Sequence, residues 1–138
     1  MPELADTSVW ARRRHPRVQP WFTTQLLLDE IGISTMVELE LLHTARGSGE
    51  FDEMREELDS LPQAPIGPME WRRAVEVMQK LAHARGGPLH RAVKPADLLI
   101  AAAAEKQGWT LVHYDSDYDL IAGVTAQPAR WVAPRGSL

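Results

Sequence analysis

Apolar positions recur along this chain with two different spacings, and the change from one to the other marks out its elements. The clearest helix starts near Pro68. Trp71, Ala74, Val75, Met78, Leu81 and Ala82 stand at i, i+3, i+4, i+7, i+10 and i+11, one stripe of a helix, with Trp71 as its safest core residue. Gly86-Gly87-Pro88 stops it. From Pro95-Ala96-Asp97 a second helix runs into Leu98–Ala104, apolar nearly all round and therefore buried, and Gly108 closes it. Met36 to Ala45 reads as a mostly buried helix. Glu50 to Leu61 reads as a helix with Phe51, Met54, Leu58 and Leu61 on one face. Trp21 to Asp29 is a shorter one, with Phe22, Leu26 and Leu27 on one side.

Trp109 to Tyr114 is the best strand, and it ends in an acidic segment, Asp115-Ser116-Asp117, that reads as a solvated turn. Ile31 to Thr35 is a second strand. Glu3-Leu4-Ala5, Ala64 to Ile66 and Arg130 to Val132 are short candidates. Helices alternating with short strands predict an α/β fold with a mostly parallel central sheet and helices on both faces. Ligands of such sheets sit beyond the carboxyl ends of the strands. Asp6 and Asp115 both fall at such ends, so the topology brings them to one rim.

The chain has 138 residues, enough for one domain spanning residues 1–138. It contains no cysteine, which rules out disulfides and thiolate metal ligands. No run approaches the roughly 18 apolar residues of a membrane span. The start, Met1-Pro2-Glu3-Leu4-Ala5-Asp6, lacks the basic and apolar regions of a signal peptide, so a soluble cytoplasmic protein is expected. A net charge of −4 does not by itself point to nucleic acid. The distribution is more informative. Arg12, Arg13, Arg14, His15 and Arg17 crowd one segment, Arg85, His90, Arg91 and Lys94 another, and the acids crowd from Glu50 to Asp59.

Taken singly, each acid has an ordinary role. Asp6 and Asp97 suit helix starts. Glu38 or Glu40 faces solvent, and Asp115, Asp117 and Asp119 suit a turn. Together they put carboxylates at several element ends along one edge. Like charges at close range raise one another's pKa, and a divalent cation removes that penalty. Oxygen-only ligands favour Mg²⁺ or Mn²⁺ over zinc. Such a centre serves phosphodiester hydrolysis. No phosphate-binding glycine loop, dinucleotide fingerprint, nucleophile elbow or H-E-x-x-H pair is present. His113 reads as a packed or surface histidine. Two other classes stay open: a phosphatase using Asp6 as nucleophile, for which Lys80 and Lys106 are badly placed because both are helical, and a non-catalytic or partner-occluded RNA-binding module.

The order of these motifs resembles the PIN domains. Asp6-Thr7-Ser8 looks like their opening D-[TS]-S. Ile33–Leu42 is similar to the segment carrying their second acid. Asp97-Leu98-Leu99-Ile100-Ala101-Ala102-Ala103-Ala104 resembles their D-x-x-I-A-A-x-A pattern, and Leu111–Asp119 resembles their last strand and D-x-D-F turn. The length suits the VapC-type toxins of bacterial toxin–antitoxin pairs. The resemblance implies a three-layer α/β/α sandwich and endoribonuclease activity dependent on Mg²⁺, with Mn²⁺ as an alternative. It makes Asp6, Glu40, Asp97 and Asp115 the catalytic acids, with Glu38 as fallback for Glu40. Asp6, Asp97 and Asp115 would hold the metal, with Asp117, Thr7 and Ser8 as accessory residues. Tyr118 stands where the family commonly has Phe, and is not expected to touch the acids. The implied partners are a small antitoxin, an RNA substrate and a second copy of the chain, in a homodimer or a larger complex with the antitoxin. The Glu50–Leu61 helix and Trp21-Phe22 are candidate partner surfaces. Arg12, Arg13, Arg14, Arg91 and Lys94 are the candidate phosphate contacts.

Overall fold

The computed structural model describes residues 1–138. Its elements follow in the order β1 (Glu3–Ala5), α1 (Thr7–Trp10), α2 (Gln19–Leu27), β2 (Ile31–Ser34), α3 (Thr35–Leu42), α4 (Ser48–Asp59), β3 (Gln63–Ala64), α5 (Pro68–Ala82), α6 (Pro95–Gln107), β4 (Leu111–His113), α7 (Asp117–Thr125) and β5 (Ala129–Trp131), with one 3₁₀ turn at His90–Ala92. The five strands form one sheet in the order β3-β2-β1-β4-β5, and every neighbouring pair is parallel. This is the α/β/α arrangement expected from the alternation of elements.

Short strands suffice because the sheet is buried on both faces, where alternation of polar and apolar residues is lost. All four residues of β2 are buried, as are all three of β4. Gly32 marks a close approach: a Cβ there would collide with the ring of Trp109. Gly108 closes α6 in the left-handed conformation (φ 71°), which an L side chain rarely adopts.

The strand order carries the functional consequence. From β1 the chain moves outward through β2 and β3, then returns to place β4 on the opposite side of β1. The switch point lies between β1 and β4, and there the carboxyl ends of adjacent strands leave a crevice. The pairing of Ala5 with Val112 and the bond from Asp6 N–H to the Val112 carbonyl (2.9 Å) bring Asp6 level with the end of β4.

Four expectations are corrected. On α5 the buried residues are Glu70, Ala74, Val77 and Leu81, whereas Trp71 is 59% exposed and Val75 67%. The inward face is turned toward Glu70, whose carboxylate accepts the Gly67 N–H at 2.9 Å and anchors the first turn. On α3 only Val37, Leu41 and Leu42 are buried; Leu39 points outward. Phe22 is no partner surface, because it sits in the core edge-on to Trp10. The segment after β4 is no open turn, since Asp117 begins α7. The apolar run of α6 is buried as expected, from Leu98 to Ala104.

Candidate active site

Asp6 leaves β1 with extended backbone (φ −67°, ψ 159°) and caps α1, the ordinary role its position suggested. Its Oδ2 accepts the Ser8 N–H at 3.0 Å and the Ser8 hydroxyl at 2.6 Å. The Ser8 hydroxyl in turn accepts the Tyr114 N–H at 2.9 Å, which ties the end of β1 to the end of β4. Asp6 is only 4% exposed.

Asp97 lies in the first turn of α6 and is also buried. Beyond β4, Asp115 Oδ1 accepts the Asp117 N–H at 2.9 Å, so the loop folds back and sets both carboxylates side by side. Oxygens of Asp97, Asp115 and Asp117 lie within 4.8 Å of one another, close enough to hold one cation. A cation is in fact there, but a tethered one. The Lys94 ammonium sits 3.1 Å from Asp115 Oδ2, 3.3 Å from Asp117 Oδ2 and 3.5 Å from Asp97 Oδ2. The backbone N–H of Lys94 donates to Asp117 Oδ2 at 3.2 Å.

The sequence resemblance did not provide for Tyr118. Its ring is buried against His113, with centroids 5.0 Å apart. Its hydroxyl donates to Asp6 Oδ1 at 2.6 Å and reaches Asp97 Oδ1 at 3.2 Å. The expectation that it avoids the acids is therefore overturned: the phenol bridges two of them.

The electrostatics follow from this crowding. Burial first, and then the carboxylates of Asp117 and Asp6, push the pKa of Asp97 up to about 7. Burial also works to raise Asp117, but hydrogen bonding with Asp97 and with the amide and ammonium of Lys94 outweighs it, and its pKa lies below the usual value. Hydrogen bonding to Asp115 outweighs the opposing effect of burial on Lys94 and holds its ammonium firmly charged. Burial and the charges of Asp6 and Asp97 raise Tyr118, so it stays a donor. His113 is lowered by burial and kept neutral, a packed histidine as expected.

The other expected residues divide. Thr7 donates to Glu40 Oε1 at 2.9 Å, which links Glu40 to the residue next to Asp6 but leaves it outside the group of three. Glu38 faces away, toward Asp59 and Arg55 of α4; burial and Asp59 raise its pKa. Arg12 lies over the Tyr114 ring, 4.4 Å from its centroid, and donates to the Ser8 carbonyl at 3.0 Å. Arg13 donates to the Trp10 carbonyl at 2.7 Å, and Arg14 and Arg91 are exposed without such anchors. Lys94, although largely exposed, turns its ammonium onto the acids. Arg135, which no sequence pattern singled out, shares an open groove with Arg12, Tyr114, Asp115 and Trp131.

The PIN-domain sequence profile matches residues 4–124, a span that contains every acid described above. The chain belongs to the PIN-domain family. This PIN domain is 44% identical over 133 residues to Ribonuclease VapC18 of Mycobacterium tuberculosis, covering 96% of each chain. It is 35% identical over 135 residues to Ribonuclease VapC51 of the same organism, covering 98% of this chain and 96% of that one. Among solved structures, DNA-bound VapBC from Salmonella typhimurium matches with a TM-score of 0.70 at 17% identity, over 96% of this chain and 100% of that one. VapBC2 from Rickettsia felis, bound to a promoter DNA fragment, matches with a TM-score of 0.67 at 19% identity, over 95% of this chain and 98% of that one. At those identities the two structures speak for the PIN fold alone. No helix of this PIN domain is long and apolar enough to cross a membrane.

Proposed function

We propose that this PIN domain is a metal-dependent endoribonuclease, acting as the toxin of a VapBC-type toxin–antitoxin pair. One observation carries the reading: carboxylate oxygens of Asp97, Asp115 and Asp117 converge on a single cation position. Two features support a divalent ion there. Asp97 Oδ2 is buried without a hydrogen-bond partner, and the position is ringed by carboxylate oxygens, a set that suits Mg²⁺ or Mn²⁺. These ligands differ from the expected Asp6, Asp97 and Asp115 in one member: Asp6 lies outside the group, its oxygens accepting hydrogen bonds from Ser8 and Tyr118.

Asp97, Asp115 and Asp117 would hold the divalent ion, which would supply Lewis-acid activation of the phosphoryl group and of an attacking water. The chain's own residues do the rest. Lys94 holds the carboxylates together until the metal enters, and its flexible stem lets it swing outward toward a phosphate. Glu40, with Oε1 engaged by Thr7 and Oε2 left over, takes the water's proton. Arg12 and Arg135, stacked on Tyr114 and Trp131, flank the groove beside Asp115 and grip the RNA backbone.

Two relatives bear the names Ribonuclease VapC18 and Ribonuclease VapC51, and a VapC-type toxin implies an antitoxin as partner. Exposed apolar residues support protein partners too: Leu39 on α3, and Met69, Trp71 and Val75 on α5, offer surface to the antitoxin and to a second copy of the chain. The phosphatase reading is weakened by the burial of Asp6 and by the hydrogen bonds that hold both of its oxygens, which disfavour attack by either one. The test is cleavage of RNA by purified protein. Chelation is expected to stop it and added Mn²⁺ to restore it; undiminished cleavage in chelator contradicts the proposal.

A further inference from the structure

We infer that the Tyr118 hydroxyl is a positioning group of this centre, deciding which oxygen of Asp97 faces the cation and fixing Asp6 beside it. The inference rests on the metal-centre reading above.

A phenol buried to this degree requires a partner for its hydroxyl. Tyr118 has two, and both are acids of the site: Asp6 Oδ1 at 2.6 Å and Asp97 Oδ1 at 3.2 Å. A hydroxyl has one proton, so the shorter contact identifies Asp6 as its main acceptor. The other oxygen of Asp6 is already taken by the Ser8 amide and hydroxyl. Asp6 is thus held from both sides.

For Asp97 the two oxygens are sorted. Oδ1 faces the phenol. Oδ2 has no hydrogen-bond partner and faces the Lys94 ammonium at 3.5 Å, as do Asp115 Oδ2 and Asp117 Oδ2 at 3.1 and 3.3 Å. The oxygen that the phenol does not hold is the one turned to the cation position. The ring is itself fixed by its packing on His113, which packs in turn on Trp131 at 5.1 Å, so the hydroxyl cannot drift away from the acids. Groups that orient metal ligands from the outer shell affect metal affinity about 10–100-fold when removed. A phenylalanine fills the same space but holds neither acid.

The experiment is calorimetric titration of Mn²⁺ into metal-free protein, comparing wild type, Tyr118→Phe and Tyr118→Leu, with a thermal melt of each. Tyr118→Phe keeps the ring packing and is expected to melt only modestly below wild type, above Tyr118→Leu, yet to bind Mn²⁺ about tenfold more weakly. Tyr118→Leu is expected to bind at least as weakly and also to melt lower. If Tyr118→Phe binds like wild type and only Tyr118→Leu is impaired, the residue serves packing alone and the inference falls. If wild type binds no Mn²⁺, the metal-centre reading falls first and takes this one with it. The same substitution in an Asp6→Asn background is a second check that does not depend on the stability of either single variant. There the phenol's nearer partner carries no charge, so losing the hydroxyl is expected to cost less; an undiminished loss contradicts the inference.

Discussion

Tyr118 and Asp6 stand 112 positions apart in the chain and meet at 2.6 Å across the switch point of the sheet. The contact joins the end of the first strand to the last helix. It explains how carboxylates from α6 and α7 and from the end of β1 stay together in a buried crevice where their charges repel.

Ser8 is the second fastening of Asp6. Its hydroxyl donates to Asp6 and accepts the Tyr114 N–H, so Ser8→Ala leaves a carboxylate short of one donor and a backbone amide unpaired. The expected cost is about 1–3 kcal/mol, the usual penalty for stranding a partner, read as a lower urea midpoint with unchanged slope.

Lys94 occupies the position assigned to the metal. Two cations cannot share it, so apparent Mn²⁺ affinity reflects the fraction of molecules in which the ammonium has left. Lys94→Met is expected to tighten Mn²⁺ binding, about tenfold if the ammonium is seated in roughly nine molecules of ten. Calorimetry checks this; weaker binding by the variant means that Lys94 assists the metal instead of competing with it.

The orientation of α5 gives a contrast in stability. Leu81 is fully buried, so Leu81→Ala is expected to cost about 2–5 kcal/mol in denaturant unfolding. Trp71→Ala, the larger truncation, is expected to cost little, within about 0.5 kcal/mol, because its side chain is mostly exposed. The reverse order would show that the helix is rotated from the position described.

Asp97 gives the metal-free protein a pH dependence of known sign. Its folded pKa of about 7 lies above the unfolded value near 4, so between these the folded state binds more protons. This residue's contribution to stability is therefore fully present below about pH 4 and is lost as pH rises toward 7. Melting temperatures in chelator are expected to fall across that window more steeply for wild type than for Asp97→Asn.

Asp97 was legible in the sequence because a carboxylate that opens a helix buried on nearly every side must either cap that helix or serve a site. The parallel sheet was legible from the alternation of elements. Trp71 was misleading for a geometric reason: Ala74 and Leu81 belong to both the apolar stripe and the buried one, and the rotation between them depends on Glu70, a polar residue placed inward by its bond to Gly67. The start of α7 was hidden because Asp117 and Asp119 suit a turn and a helix first turn equally well. The hold of Tyr118 and Lys94 on the acids left no mark in the local pattern. Asp6 is distant from Tyr118 in the chain, and Asp115 and Asp117 are distant from Lys94, so only the fold brings them near.

The central claim is that the carboxylates around Asp97 hold a metal that cuts RNA. It is tested most directly by mapping cleavage sites in total RNA treated with wild type or Asp97→Asn in the presence of Mn²⁺. Discrete cuts by wild type that vanish with Asp97→Asn are predicted; the same cuts made at the same rate by the variant would contradict the account.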